Sequence, residues 1–349
     1  MVDTSQAVAP AEVQTRSRFA SLGALAERSA IPIFLLVLVI FFGTYPKTSS
    51  TFFSAANIQN ILANQSVTGL IALGMVIPLV AGYFDLSVSA IAGLSNVVFA
   101  SLVAQHGQSV AVGVIAGLAV GVVAGAVNAT LVAIVKLNPF ITTLGTYILI
   151  GGLLQLYTKG QTITNGFPLG AALWSSGKWL GIARPFWLLM VVAVVLWFLL
   201  IRTPFGRKLA AIGSNESAAR LAGIRVDRAI FITFLLSGLL GGMAGVLLTL
   251  RDSGGDATTA ISFLFSALAA VFLGLTAINP GHYNVWGTIF GVFFVAVAVD
   301  GFILLGANSS VTAVFNGAAL ILSVTFVTLL ARARERRARA SQLRAMRSE

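Results

Sequence analysis

The chain alternates long apolar runs with short polar breaks, and ten of the runs approach the ~20 residues that a helix needs to cross a bilayer. They extend approximately from Ile31 to Tyr45, Leu62 to Ala81, Ser87 to Ala104, Val110 to Val135, Thr142 to Tyr157, Pro185 to Ile201, Ala229 to Leu250, Leu264 to Leu275, Val285 to Leu304 and Val311 to Leu330. The run from Leu264 is the weakest and the first needs help from its flanks, which leaves nine as the other admissible count. The pattern predicts an all-α polytopic membrane protein of about ten spans. Residues 1 to 30 form a polar N-terminal tail, 202 to 228 a polar segment between the sixth and seventh spans, and 331 to 349 a basic C-terminal tail.

Composition removes the soluble alternative. Of 349 residues, 57% are hydrophobic and 9% charged, against roughly 45–50% and about 25% in an ordinary soluble domain. Cysteine is absent, which rules out a disulfide framework, a thiolate metal site and a cysteine nucleophile. The first apolar run starts too far in for a cleaved signal peptide, so it reads as a retained span.

Charge orients the spans. The net charge of +11 could suggest a nucleic-acid partner, but the basic residues sit between and after apolar runs rather than along an amphipathic face. With both termini in the cytoplasm, ten spans place 17 of the 22 Lys and Arg residues inside and 5 outside. Positive residues mark the cytoplasmic side, so this orientation is the expected one. The C-terminal run reads as a solvated basic tail that senses anionic lipid.

Glycines recur at helix-packing spacing: Gly113, Gly117, Gly121 and Gly125 in one span, and Gly238, Gly241, Gly242 and Gly245 in another. Small residues four apart let backbones approach closely in lipid. Spans two to five can also be laid over spans seven to ten, an odd offset that inverts topology. Asn128 precedes Gly145 by the same 17 residues that separate Asp300 from Gly317. Inverted repeats of this kind place a pathway near the repeat interface.

Few side chains offer chemistry. Asp85, in AGYFDLSVSA, and Asp300, in VAVAVDGFILLG, lie within or beside apolar runs. An ionisable group at membrane depth is costly and tends to face a protein interior or a wet cavity. Asp85 has a second reading as a cap for the helix beginning near Ser87. Gly82, Tyr83 and Phe84 interrupt the apolar run beside it, as a broken helix bordering a cavity does. Asp300 lies near the outer end of its span, where snorkelling to water is the competing reading.

The segment RTPFGRKLAAIGSNESAARLAGIRVDR, from Arg202 to Arg228, is the longest charged stretch between spans. Within it Ser214, Asn215 and Glu216 can cap a short helix over Ser217 to Ala222 that Gly223 then ends. Such a helix makes a poor core and a good knob for a groove on a partner. An ordinary connecting loop is the other reading. No G-x-x-x-x-G-K-[ST] occurs, no metal or cofactor site is expected, and His106 and His282 stand alone outside the spans. No catalytic residue is expected.

Together these segments resemble the membrane permeases of bacterial ABC importers for ribose, xylose, galactose and related compounds, from about Asn57 to Leu330. The 202–228 segment is similar to that family's coupling segment, with Gly213, Asn215, Ala218, Ala219, Gly223 and Ile224 in the expected places. GYFDLSVSA is similar to the family's Gly-Ile-Asp-Leu-Ser-Val-Gly stretch, with Tyr83-Phe84 replacing a small residue and Ile, and Ser89-Ala90 replacing glycine and serine. LNPFITTLGTYILIGGL, AAVFLGLTA and VWGTIFG also resemble it, and Asp300 stands where the family normally has Asn.

The resemblance implies a multi-pass protein of the bacterial inner membrane acting as a homodimer, with ATP-binding cassette subunits docked on the coupling segments and an extracytoplasmic binding protein delivering the solute. No nucleic acid is implied. Gly213, Asn215, Glu216, Ala218, Ala219, Arg220 and Gly223 are then the residues expected to couple to the ATPase. Tyr83, Phe84, Asp85, Ser87, Asn128 and Asp300 are candidates for the translocation pathway. An ion-coupled secondary transporter using Asp85 and Asp300 as carriers is the alternative.

Overall fold

The computed structural model describes residues 29–308 and 310–346. Most of the N-terminal tail expected over residues 1 to 30 therefore lies outside the described residues. Among those described, seven helices are long and apolar enough to cross a membrane: α2 (Ala55–Val80), α3 (Val88–Gln105), α4 (Val110–Ile134), α5 (Pro139–Thr158), α6 (Arg184–Arg202), α9 (Val226–Asp252) and α11 (Val285–Leu304). Three shorter apolar stretches, α1 (Ser29–Thr44), α10 (Thr259–Gly274) and Val311–Phe326 of α12 (Val311–Met346), fall on the remaining expected runs. Between α6 and α9 lie two short helices, α7 (Pro204–Ser214) and α8 (Glu216–Leu221).

Local chemistry sets the helix starts. The Ser54, Ser109, Asn138 and Asn284 side chains accept from the backbone N–H three residues on, and Pro139 supplies the preset backbone angle at the first position of α5. Helix ends then fall where the polar breaks of the sequence fall.

The helix contacts give the inverted repeat a physical form. Within α2 to α5, α3 packs on α4 and α5; within α9 to α12, α10 packs on α11 and α12. Across the halves, α9 packs on α3 and α4, and its counterpart α2 packs on α10 and α11. The central α2–α9 and α3–α10 contacts pair each helix with its own counterpart. The core runs along α2 and α9, with Leu70, Ile71, Leu73, Ile77, Ile230 and Phe234 fully buried.

Backbones meet at the α4–α9 crossing. A Cβ on Gly121 would stand 2.5 Å from the Gly238 carbonyl oxygen, and one on Gly125 2.5 Å from the Phe234 carbonyl oxygen. Gly241 and Gly245 point instead at α3, so the second glycine series serves two neighbours. At Gly238 a methyl group would press on the Gly121 carbonyl and lie 2.7 Å from Gly125 Cα, with no flexible side chain able to yield. Gly238→Ala is therefore expected to cost about 1–3 kcal/mol through overpacking. Thermal unfolding in detergent checks this, with Gly170→Ala, whose Cβ meets nothing within 4 Å, expected to leave the midpoint in place.

Candidate functional site

The connection from α2 to α3 carries the candidate residues, and it holds two polar clusters. The first is buried. Asp85 is 3% exposed. Its Oδ1 accepts from the Ser87 backbone N–H at 3.0 Å and from Ser87 Oγ at 2.5 Å, and its Oδ2 accepts from Ser237 Oγ of α9 at 2.6 Å. The carboxylate thus closes a turn on Ser87, the residue just before the first helical position, rather than bonding the amides of the helix itself, and the other half of the molecule adds a donor. Asn128 Nδ2 of α4 donates to Ser87 Oγ at 2.7 Å, and Thr146 Oγ1 of α5 donates to Asn128 Oδ1 at 2.7 Å. The Leu86 N–H reaches Thr143 Oγ1 at 3.2 Å.

The break is thereby tied to α4, α5 and α9. Ser237 lies roughly 16 Å from the start of α9 at 1.5 Å per residue, so this knot sits well inside the bundle. Buried polar groups need such satisfaction, because each unpaired one costs about 1–3 kcal/mol.

The second cluster lies at the end of the bundle where α2 stops and α9 starts. Tyr83 Oη donates to Glu216 Oε2 of α8 at 2.8 Å. Arg220 donates to Glu216 Oε1 through Nε at 3.2 Å and Nη2 at 2.9 Å, and Nη2 also reaches Asp227 Oδ1 at 2.6 Å. Lys136, just past α4, pairs with Asp227 as well. Burial, then the Glu216 carboxylate, pushes the Tyr83 phenol above its ordinary value, so it stays a proton donor at neutral pH. Burial raises the Glu216 pKa, but hydrogen bonds from Arg220 and Tyr83 outweigh it and hold the carboxyl below its ordinary 4.5. The sign of that depression keeps these bonds complete at neutral pH, to be lost only as pH falls through the lowered value.

α8 itself is built by its ends. The Asn215 side chain accepts from the Ala218 N–H at 2.9 Å. Gly223 adopts φ 80°, the Ile224 N–H returns to Ala219 O and the Gly223 N–H to Arg220 O, the double closure that glycine at this position permits. The helix begins one residue earlier than expected, at Glu216 rather than Ser217. Ala218 and Gly223 are exposed, Ala219 packs inward and Leu221 stands 91% exposed. A Cβ on Gly213 would press on the Val80 carbonyl, which seats α7 against the end of α2.

The other candidates scatter. Phe84 packs edge-on to Phe140 with ring centroids 6.3 Å apart. Asp300 is half-buried near the opposite end of the bundle and accepts from Asn57 Nδ2 at 2.8 Å. Its side chain therefore finds a protein donor, and its contacts differ from those of Asn128, the residue at the matching spacing. Ser237, Thr143 and Thr146 are not among the expected residues; the signal they leave is a hydroxyl inside an otherwise apolar stretch, single at Ser237 and clustered at Thr142, Thr143 and Thr146. Among the described residues no group of three or more His, Cys, Asp or Glu side chains could hold a metal.

A family model described as the branched-chain amino acid transport system / permease component matches residues 57–324. The ribose import permease protein of Bacillus subtilis (strain 168) is 36% identical over 293 residues, 84% of this chain and 89% of that protein. That of Escherichia coli (strain K12) is 32% identical over 315 residues, 89% and 96% of the two chains. The L-arabinose ABC transporter permease protein of Azospirillum brasilense is 34% identical over 307 residues, 86% and 88%. No solved structure matches the chain.

Proposed function

The chain belongs to the branched-chain amino acid transport system / permease component family, and on that premise we propose that it is the membrane subunit of an ATP-driven importer of a sugar or similar small polar solute. It is a transporter subunit rather than an enzyme. The observation that carries the sugar reading is similarity over most of both chains to permeases named for ribose import and for an L-arabinose ABC transporter. Pentoses are the first solutes to test.

In this reading two copies of the chain build the pathway, ATP-binding cassette subunits dock on residues 202 to 228, and a binding protein delivers solute from outside a bacterial inner membrane. Both termini face the cytoplasm, with 17 of 22 basic residues on that side. α8 suits docking because its own caps shape it and its outward face is free for a groove. Glu216 then links the docked helix through Tyr83 to the Asp85 break two residues further on.

The ion-coupled reading gains no support from the site. Both oxygens of Asp85 are engaged by hydroxyl or amide donors, and Asp300 is held by an amide. In liposomes containing the chain with its ATPase and binding protein, uptake is expected to persist when proton and sodium gradients are collapsed and ATP is maintained. Uptake abolished by that collapse would favour the carrier. Thermal-shift screening of the binding protein then names the solute.

A further inference from the structure

The loop from α9 to α10 occupies the repeat position of the Asp85 break, at the opposite end of the bundle. Asp256 lies three residues before Thr259, the start of α10, as Asp85 lies three before Val88, the start of α3. Its Oδ1 accepts from the N–H groups of Thr258 and Thr259, each at 2.8 Å, and from their hydroxyls at 2.7 and 2.9 Å. Asp256-Ala-Thr258 therefore repeats the device of Asp85-Leu-Ser87: a carboxylate closing the start of the second helix in each half.

Each break is also held by the other half of the molecule. Ser237 of α9 donates to Asp85 at 2.6 Å. Reciprocally, Asn96 of α3 accepts from the Asp256 N–H at 2.8 Å and donates to Gly254 O at 3.1 Å and to Thr249 Oγ1 of α9 at 2.9 Å. Asn96 is 1% exposed and Thr249 is fully buried. The 253–258 loop is further pinned by paired backbone bonds between Ile163 and Gly255 at 2.8 and 2.9 Å.

Between the two holds, α3 and α9 run parallel in backbone contact. A Cβ on Gly241 would stand 2.9 Å from Val88 O, one on Gly245 would press on Ala92 O, and Ser95 Oγ donates to Gly242 O at 2.9 Å. Helices this close cannot separate in the middle without losing both packing and hydrogen bonds, so a rocking of one half against the other turns about this stretch.

We infer that Asp85 with Ser237, and Asp256 with Asn96, are positioning residues of two matched latches at opposite ends of the α3–α9 contact, of which one tightens as the other loosens during transport. Rotation about the glycine contact moves the two ends in opposite senses, and each break is a short segment, with Leu86 or Ala257 packed in the core, whose polar hold on the other half is a few hydrogen bonds. Such elements have discrete held and released arrangements. The inference rests on the importer reading, since ATP binding to the partner is what drives the rocking.

Hydrogen exchange of the full complex in lipid, nucleotide-free and with ATP trapped, tests it. Residues 81–87 and 253–258 are expected to change protection in opposite directions between the two states, by about fivefold or more in rate. Asp256→Ala is expected to speed exchange at 253–258 and also to shrink the contrast at the distant 81–87, while Asp256→Asn, which keeps a capping oxygen, restores much of it. Change in the same direction at both segments, no change at either, or an Asp256→Ala effect confined to 253–258 overturns the inference. If Asp256→Ala does not assemble, the comparison of states in the unmutated complex decides. Loss of ATP-driven uptake by the unmutated complex counts instead against the importer reading.

Discussion

Asp85→Ala is expected to leave little folded, active permease. The carboxylate is 3% exposed and collects three donors, two from Ser87 and one from Ser237. Alanine removes both acceptor oxygens at once and leaves the Ser87 amide and two hydroxyls without their partner in a water-poor interior. The Ser87 hydroxyl also anchors Asn128, which holds Thr146, so the loss spreads to α4 and α5. Hydrogen bonds to charged groups are worth about 1.5–3 kcal/mol each, and hydroxyls that rotate to other partners recover part of the loss. A net cost of about 3–4 kcal/mol is expected, large against ordinary point mutants. Asp85→Asn keeps the volume and one acceptor, so it should fall between. Detergent melting and solute uptake measured side by side check the order; normal expression and transport by Asp85→Ala would remove the residue from the site.

Glu216→Arg is expected to separate ATP hydrolysis from transport. The change places a second guanidinium beside Arg220 and deletes the acceptor that receives the Tyr83 hydroxyl. Stability should survive, because exposed ion pairs contribute about 0–1 kcal/mol each and α8 keeps its caps. Uptake should fall at least tenfold while ATPase activity of the assembled complex continues, a loss of about 1.4 kcal/mol or more of coupling. Tyr83→Phe removes only the hydroxyl and should lower uptake severalfold at unchanged hydrolysis. Unchanged uptake in Glu216→Arg would reject α8 as the coupling element.

The spans were legible because apolar runs are long and charges within them few; even the weak run at Leu264 carries a helix, Thr259–Gly274, that begins earlier than its hydropathy suggests because Asp256 caps it. The Asp85 turn could be read from Asp-Leu-Ser spacing alone, since its donor is two residues away. Ser237 lies 152 residues from Asp85 and Glu216 133 residues from Tyr83, and nothing local in the chain reports such pairs. Asn96 and Asp256 escaped notice for different reasons. The first is one neutral amide in an apolar run, and the second sits in a polar break where an aspartate draws no attention. Laying Asp256-Ala-Thr258 over Asp85-Leu-Ser87 would have found it. Asn128 and Asp300 share a spacing but no set of contacts, so the coincidence of 17 residues located no common site.

α8 owes its shape to Asn215 at one end and Gly223 at the other, and its outward residues, Leu221 above all, touch little of the bundle. Shape and surface are thus encoded by different positions. A stretch built this way is exchangeable: residues 217, 218, 221 and 222 can drift or be swapped without unsettling the membrane helices, provided the two caps and Glu216 stay. With the ATPase docked on α8 as proposed, preference for one ATPase over another should travel with these few outward residues, making the choice of motor a transplantable property of the importer.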